Sequence, residues 1–150
     1  MLADKTIKAY SDNCAMIRPF KNEDLQPASY DVHLDGEFFK EGLRFETRDP
    51  FFIAPGEFIL GSTREYVKIP STIACRFEGK STLGRMGLMT HITAGFIDPG
   101  FEGTITVELK NVNIKNSIVL QKGMSIGQLS FFFLDTEPNR TYGSKTLGSH

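Results

Sequence analysis

Between Glu78 and Lys110 the chain reads EGKSTLGRMGLMTHITAGFIDPGFEGTITVELK. Ser81, Arg85, His91, Asp98 and Glu108 stand there among glycines. A carboxylate can take a proton from water while a hydroxyl orients it and a guanidinium stabilises the charge that develops. The chain has 2 cysteines, 3 histidines and no CxxC, so a structural zinc site lacks its ligands. If water is activated here, it is activated without a transition metal held by the protein.

Three local patterns would have to position these groups. In GTITVELK, Ile105, Val107 and Leu109 alternate with Thr104, Thr106, Glu108 and Lys110, which places Glu108 on the polar face of a strand. Alone, such a glutamate is ordinarily solvated. IDPGFEG is a tight turn in which Pro99 fixes its own φ and Gly100 is free to take φ > 0. It would hold Asp98 at a strand end, either as a turn cap or as a ligand contact. Upstream, Gly79 and Gly84 bracket Lys80, Ser81 and Thr82, and such a segment offers N–H groups, hydroxyls and a cation to phosphate oxygens. It is not a GxxxxGK[ST] loop. The THIT segment alternates like a strand, so His91 reads as a core residue, as one that supports the site from behind, or as a contact to a small-molecule ligand from a neighbouring subunit.

The rest of the chain is strand-like. DKTIKAYSDN predicts a short helix with Asp4 as its cap and Ile7 and Tyr10 on one face. FKNEDLQPAS is a loop that leads into a strand with Tyr30, Val32 and Leu34 on one side. DPFFIAPGEFILGS predicts a hairpin about Pro55-Gly56, EYVKIP and TIACRF are short strands, and NSIVLQKGMSIGQLSFFFL gives two strands about Lys122-Gly123. With 14 glycines in 150 residues and strands about ten residues apart, the pattern is that of an all-β sandwich or jelly roll. Phe131, Phe132 and Phe133 put rings on both faces of one strand, which suggests a second subunit over one face. NRTYGSKTLGSH reads as a mobile tail. Cys14 and Cys75 are expected to be reduced and buried.

Net charge is −1 with no basic run, which excludes bulk binding to nucleic acid but leaves a small anion open. No segment is long and apolar enough for a signal peptide or a membrane helix, so a cytoplasmic location is expected. The HxE and PCxxC pattern of zinc nucleobase deaminases is absent.

Taken together, the string from Glu78 to Asn111 resembles the signature of dCTP deaminases, members of the trimeric dUTPase superfamily. QPASYDVHL resembles the family's early QP[AS]S segment, GMSIGQLSFF its late GMxIGQLxFF strand, and YGSKTLGSH the start of its C-terminal lid. The resemblance implies a distorted β jelly roll over residues 1–138, with short helices at the N-terminus and in the central motif, and a lid beginning within 139–150. It further implies a homotrimer with shared active sites, and Mg²⁺ carried by the substrate triphosphate with no protein ligand. The YQGQ-like segment that follows in the family does not occur before His150, and a chain without it is expected to hold the triphosphate more weakly.

The resemblance also assigns roles. Glu108 is the base that takes the water's proton and passes it to N3 and to the leaving amine. Ser81 bonds the attacking water, the Ala94 carbonyl is its second acceptor, and Arg85 positions Glu108 and steadies charge on the pyrimidine. Lys80 and Thr82 face phosphates, where many relatives carry arginine and serine. Asp98 meets the deoxyribose 3′-OH and, in enzymes that also cut the triphosphate, helps aim the second water. TAGF before IDPGF, with Gly95 and Phe96, resembles the bifunctional type that yields dUMP, favoured over a deaminase giving dUTP or a regulator that only binds nucleotide. Gln128 is expected near the trimer axis and Tyr142 on the lid.

Overall fold

The structure is a computed structural model and describes residues 1–144. In chain order it comprises α1 (Asp4–Cys14), β1 (Ile17–Arg18), a 3₁₀ turn (Asn22–Asp24), β2 (Leu25–Gln26), β3 (Ser29–Lys40), β4 (Leu43–Glu46), β5 (Phe51–Ile53) and β6 (Phe58–Lys68). It continues with β7 (Ile73–Gly79), α2 (Ser81–Met86), β8 (Leu88–Met89), β9 (Phe96–Ile97), β10 (Glu102–Asn111), β11 (Ile118–Leu120) and β12 (Ser125–Phe133). One curled sheet runs in the order β8-β10-β6-β3-β12-β7-β9, and β5 pairs with β11 in a separate ribbon. This is the expected all-β fold with a helix at the N-terminus and another in the central motif. Among the described residues no helix is long and apolar enough to cross a membrane.

The curl comes from β3. Its first half, through Tyr30, Asp31, Val32 and His33, pairs with β12. Beyond Leu34 it pairs with β6, and the register shifts between Leu34 and Phe38. Gly36 sits in that shift at φ +95°, where an added Cβ would lie 2.8 Å from the Thr47 carbonyl oxygen. A bulge of this kind bends the strand and lets it serve both layers. Tyr30, Val32, Leu34 and Phe38 are fully buried there, with Val107, Leu109, Leu129 and Phe131 in the same core. Burial pushes the Tyr30 hydroxyl up to about 12, and its oxygen accepts the Lys21 N–H at 2.8 Å.

Several expectations are corrected. Asp4 is the first residue of α1, and Ala3 occupies the cap position without a side-chain bond. Pro55-Gly56 does form a turn, with Gly56 at φ +79°, but no hairpin. The turn hands the chain from one sheet to the other, because the buried Asn111 amide donates to the Ile53 carbonyl at 3.0 Å and its carbonyl takes the Gly56 N–H at 2.8 Å. EYVK is the second half of the long β6 and no separate strand. THIT is no strand either and lies in the loop between β8 and β9. Cys14 is exposed at the end of α1, whereas Cys75 is buried. Of the three phenylalanines, Phe131 is in the core and Phe133 is exposed, its ring 6.0 Å from that of Tyr10.

Two predictions concern this packing. Gly127 lets β12 cross the Phe77 ring, where a Cβ would lie 2.4 Å from a ring carbon. Gly127→Ala should cost about 1–3 kcal/mol through overpacking and lower the Tm by several degrees in a thermal melt. Burial pushes the Cys75 thiol up, so a thiol reagent should label Cys14 rapidly and Cys75 only after denaturation.

Candidate active site

Burial of Ile105, Val107 and Leu109 turns Thr104, Thr106 and Glu108 outward along β10. The Glu108 carboxylate is half-buried, and its Oε2 accepts the Ile92 N–H at 2.7 Å. Ile92 belongs to the loop that follows β8. That loop is pinned at its far end, where the Phe77 N–H donates to the Gly95 carbonyl at 2.7 Å. Gly95 is buried, and a Cβ on it would lie 3.0 Å from the Phe77 carbonyl oxygen and 3.1 Å from the His91 ring. The His91 ring meets Phe77 edge-on at 5.9 Å, and its Nδ1 is buried with no hydrogen-bond partner. A side chain at Gly95 would require the Phe77 carbonyl or the His91 ring to give by a few tenths of an ångström.

Ala94, Phe96, Asp98, Thr104, Thr106 and Tyr142 line a cavity of about 260 Å³. Asp98 is exposed at its edge, on the turn closed by Phe101 N–H to the Asp98 carbonyl at 3.2 Å. Gly100 holds φ +85°, and a Cβ there would lie 2.6 Å from Thr141. The segment around Tyr142 packs against this turn. Tyr142 N–H donates to the Pro99 carbonyl at 2.8 Å, and its ring stands edge-on to Phe101 at 5.2 Å. The start of the expected lid thus lies over the Asp98 turn as far as Ser144, and the remainder, 145–150, is outside the described residues.

Lys80, Ser81, Thr90, His91 and Gln128 line a second, open depression of about 430 Å³. The short α2 begins after Lys80 and is anchored by the buried Leu83, which leaves Ser81, Thr82 and Arg85 exposed. Gly87, at φ +93°, ends the helix. Lys80 forms an ion pair with Asp31, and the Gln128 Oε1 accepts the Ser29 hydroxyl at 3.0 Å. Among the described residues no hydrogen bond or ion pair joins Ser81 or Arg85 to Glu108. The expected site residues thus fall into two groups: Asp98 edges one cavity, with Glu108 further along the strand face that carries Thr104 and Thr106, and Lys80 and Ser81 line the other depression.

Sequence reasoning missed Asp31, Phe101, Thr104 and Thr106. The threonines had a signal, since they share the polar face that singled out Glu108. Asp31 had none, because nothing local to QPASYDVHL announces a partner at Lys80.

A family model described as dCTP deaminase-like matches residues 39–134. The dUMP-forming dCTP deaminase of Bifidobacterium animalis subsp. lactis is 45% identical over 171 aligned positions, covering 100% of this chain and 88% of the relative. That alignment is longer than the chain's 150 residues, so the relative carries internal segments that this chain lacks. The dUMP-forming dCTP deaminase of Streptomyces coelicolor is 44% identical over 170 positions, covering 99% and 88%. The fold matches the crystal structure of 2′-deoxycytidine 5′-triphosphate deaminase from Agrobacterium tumefaciens at a TM-score of 0.75 with 18% identity, over 87% of this chain but only 47% of that one. It also matches the native EIAV dUTPase at a TM-score of 0.56 with 22% identity, over 83% and 88%.

Tyr142→Ala should release the 139–144 segment from the Asp98 turn, at a cost of about 0.5–1.5 kcal/mol for the lost aromatic pair. Trypsin should then cut after Arg140 faster than in the unmodified chain, with cleavage elsewhere unchanged.

Proposed function

The chain belongs to the dCTP deaminase-like family, and we propose that it converts dCTP to dUMP, with ammonia and pyrophosphate released. Relatives of this name match it from end to end at 43–45% identity. Within the molecule, the observation that carries the reading is Glu108: an outward carboxylate on β10 that accepts the Ile92 N–H, on the same strand face as Thr104 and Thr106, which line the Asp98 cavity.

In the first step water adds to C4 of cytosine while Glu108 takes its proton. That proton goes to N3, Glu108 then carries the proton of the new C4 hydroxyl to the amine, and ammonia leaves as C4=O forms, giving dUTP. In the second step another water attacks the α-phosphorus, and pyrophosphate leaves to give dUMP. Two waters are consumed in all. Ser81 and the Ala94 carbonyl orient the first water, and Arg85 stabilises charge on the ring. Asp98 holds the deoxyribose 3′-OH and helps aim the second water. Lys80 and Thr82 meet the phosphates, Phe96 and Gly95 shape the base side, Gln128 borders the phosphate side, and Tyr142 covers the nucleoside.

Among the described residues neither Ser81 nor Arg85 bonds Glu108, and this favours a homotrimer in which a neighbour brings Ser81 and Arg85 to Glu108. A cytoplasmic setting fits a substrate of this class.

Magnesium prefers oxygen ligands, keeps several waters and binds nucleotides through their phosphates. Ser81 and Thr82 offer exposed hydroxyls. The one described cluster of ligand type, Asp24, His33 and Glu65, is buried, and Arg64 pairs with its Glu65 at 2.8 Å. The exposed hydroxyls and the Lys80 ammonium fit phosphates that bring their own ion. Bound there, it would neutralise phosphate charge while Lys80 and Thr82 orient the chain of phosphates.

The test is to incubate the chain with dCTP and Mg²⁺ and separate the products by chromatography. dUMP and pyrophosphate should appear; accumulation of dUTP would indicate deamination alone, and no ammonia would reject the assignment. Glu108→Gln should reduce ammonia release by about 10²–10⁴-fold, the usual contribution of a general base, while dCTP binding measured by calorimetry stays within a few fold.

A further inference from the structure

Asp31 is 9% exposed on β3, and its carboxylate has one strong partner, the Lys80 ammonium, bonded through Oδ2. The Gln26 amide approaches the same oxygen at 3.4 Å. The other oxygen, Oδ1, is buried without a hydrogen-bond partner. A buried carboxylate with an unmet oxygen is costly, and nothing in the core packing of β3 calls for it. Lys80, in turn, stands at the rim of the Ser81 depression, on a flexible four-carbon stem that loses much rotamer freedom when fixed.

We propose that Asp31 is the positioning residue for Lys80: it holds the ammonium at the rim of the depression as a preformed contact for the polyphosphate of the substrate. The proposal deepens the functional reading above and rests on its placing phosphates beside Lys80. Without the carboxylate, Lys80 swings into solvent and must be ordered anew by each incoming anion. The charge of Asp31 opposes attraction to phosphate, and the proposal requires that the ordering cost spared at the contact exceed that repulsion. Asp31 touches no reacting atom in this scheme, so its loss acts on binding and leaves the chemical step alone.

The test is a double-mutant cycle on the full chain with Asp31→Asn, Lys80→Ala and the pair. Binding of inorganic tripolyphosphate in the presence of Mg²⁺ is measured by calorimetry, and KM and kcat for dCTP are measured alongside. Asp31→Asn should weaken tripolyphosphate binding and raise KM about tenfold, with kcat little changed, and should have no further effect once Lys80 is alanine. An equal loss in both backgrounds would show that Asp31 supports the fold only and would overturn the proposal. So would unchanged binding, or absence of tripolyphosphate binding by the unmodified chain. Binding needs no turnover: if dCTP releases no ammonia yet the cycle shows coupling, the functional reading fails and the Asp31–Lys80 assignment stands.

Discussion

The antiparallel pairing of β10 with β6 is the constraint on which the candidate site depends. Val107 and Leu109 face Gly61 and Ile59 across this pair, and both are fully buried. Because side chains alternate along a strand, burying one set leaves the other no choice of direction. Glu108, Thr106 and Thr104 are outward for that reason. A slip of one residue would bury the carboxylate and expose the core. Gly61 tightens the fit, since a Cβ there would lie 3.2 Å from both Leu109 and Val107. The pair is not uniform: its register shifts between Thr104 and Thr106. There the Ile105 N–H donates to the Thr63 hydroxyl at 2.9 Å, and that hydroxyl donates to the Glu65 carbonyl at 2.9 Å. A side chain thus replaces the lost ladder bond, and the alternation continues through to Glu108 without inversion.

This explains which parts of the molecule were legible in the sequence. The alternation of β10, the glycines of the Asp98 turn and the strand pair about Lys122-Gly123 are local patterns, and each is present. Partner choice is not local. Phe51–Ile53 reads as half of a hairpin because a turn follows it, yet its edge is taken by Ile118–Leu120, 65 to 69 residues away. β3 reads as the short stretch around Tyr30–Leu34 because Gly36 interrupts its pattern, and that interruption is the bend that joins the two layers. The motif residues were identifiable by type, and the resemblance implied sites shared between subunits, but which of these residues stand together in one chain was not legible. Ser81 and Arg85 sit on α2 after β7, whereas Glu108 sits on β10 between β8 and β6, and no spacing in the sequence reports that placement.

The buried charges along β3 show how the rim of the Ser81 depression is held. Asp31 and His33 alternate with the core residues Tyr30, Val32 and Leu34, so they share the opposite face. His33 lies between two carboxylates, with Nδ1 2.9 Å from Glu65 and Nε2 3.3 Å from Asp24, and Arg64 reaches Glu65 at 2.8 Å. Burial pushes the Asp24 carboxyl up, against the opposing pull of His33 and Arg64. Buried ion pairs of this kind add little net stability, because desolvation offsets most of their attraction. Their effect is geometric. They tie the 3₁₀ turn at Asn22–Asp24 to β3 and β6, and so fix the path of the next few residues. Gln26 follows directly and reaches Asp31, which meets Lys80 at the start of α2. A run of polar contacts thus leads from the Asp24–His33–Glu65 cluster to the cation at the edge of the depression. An apolar core could have held the strands as firmly, but it could not have placed a charge.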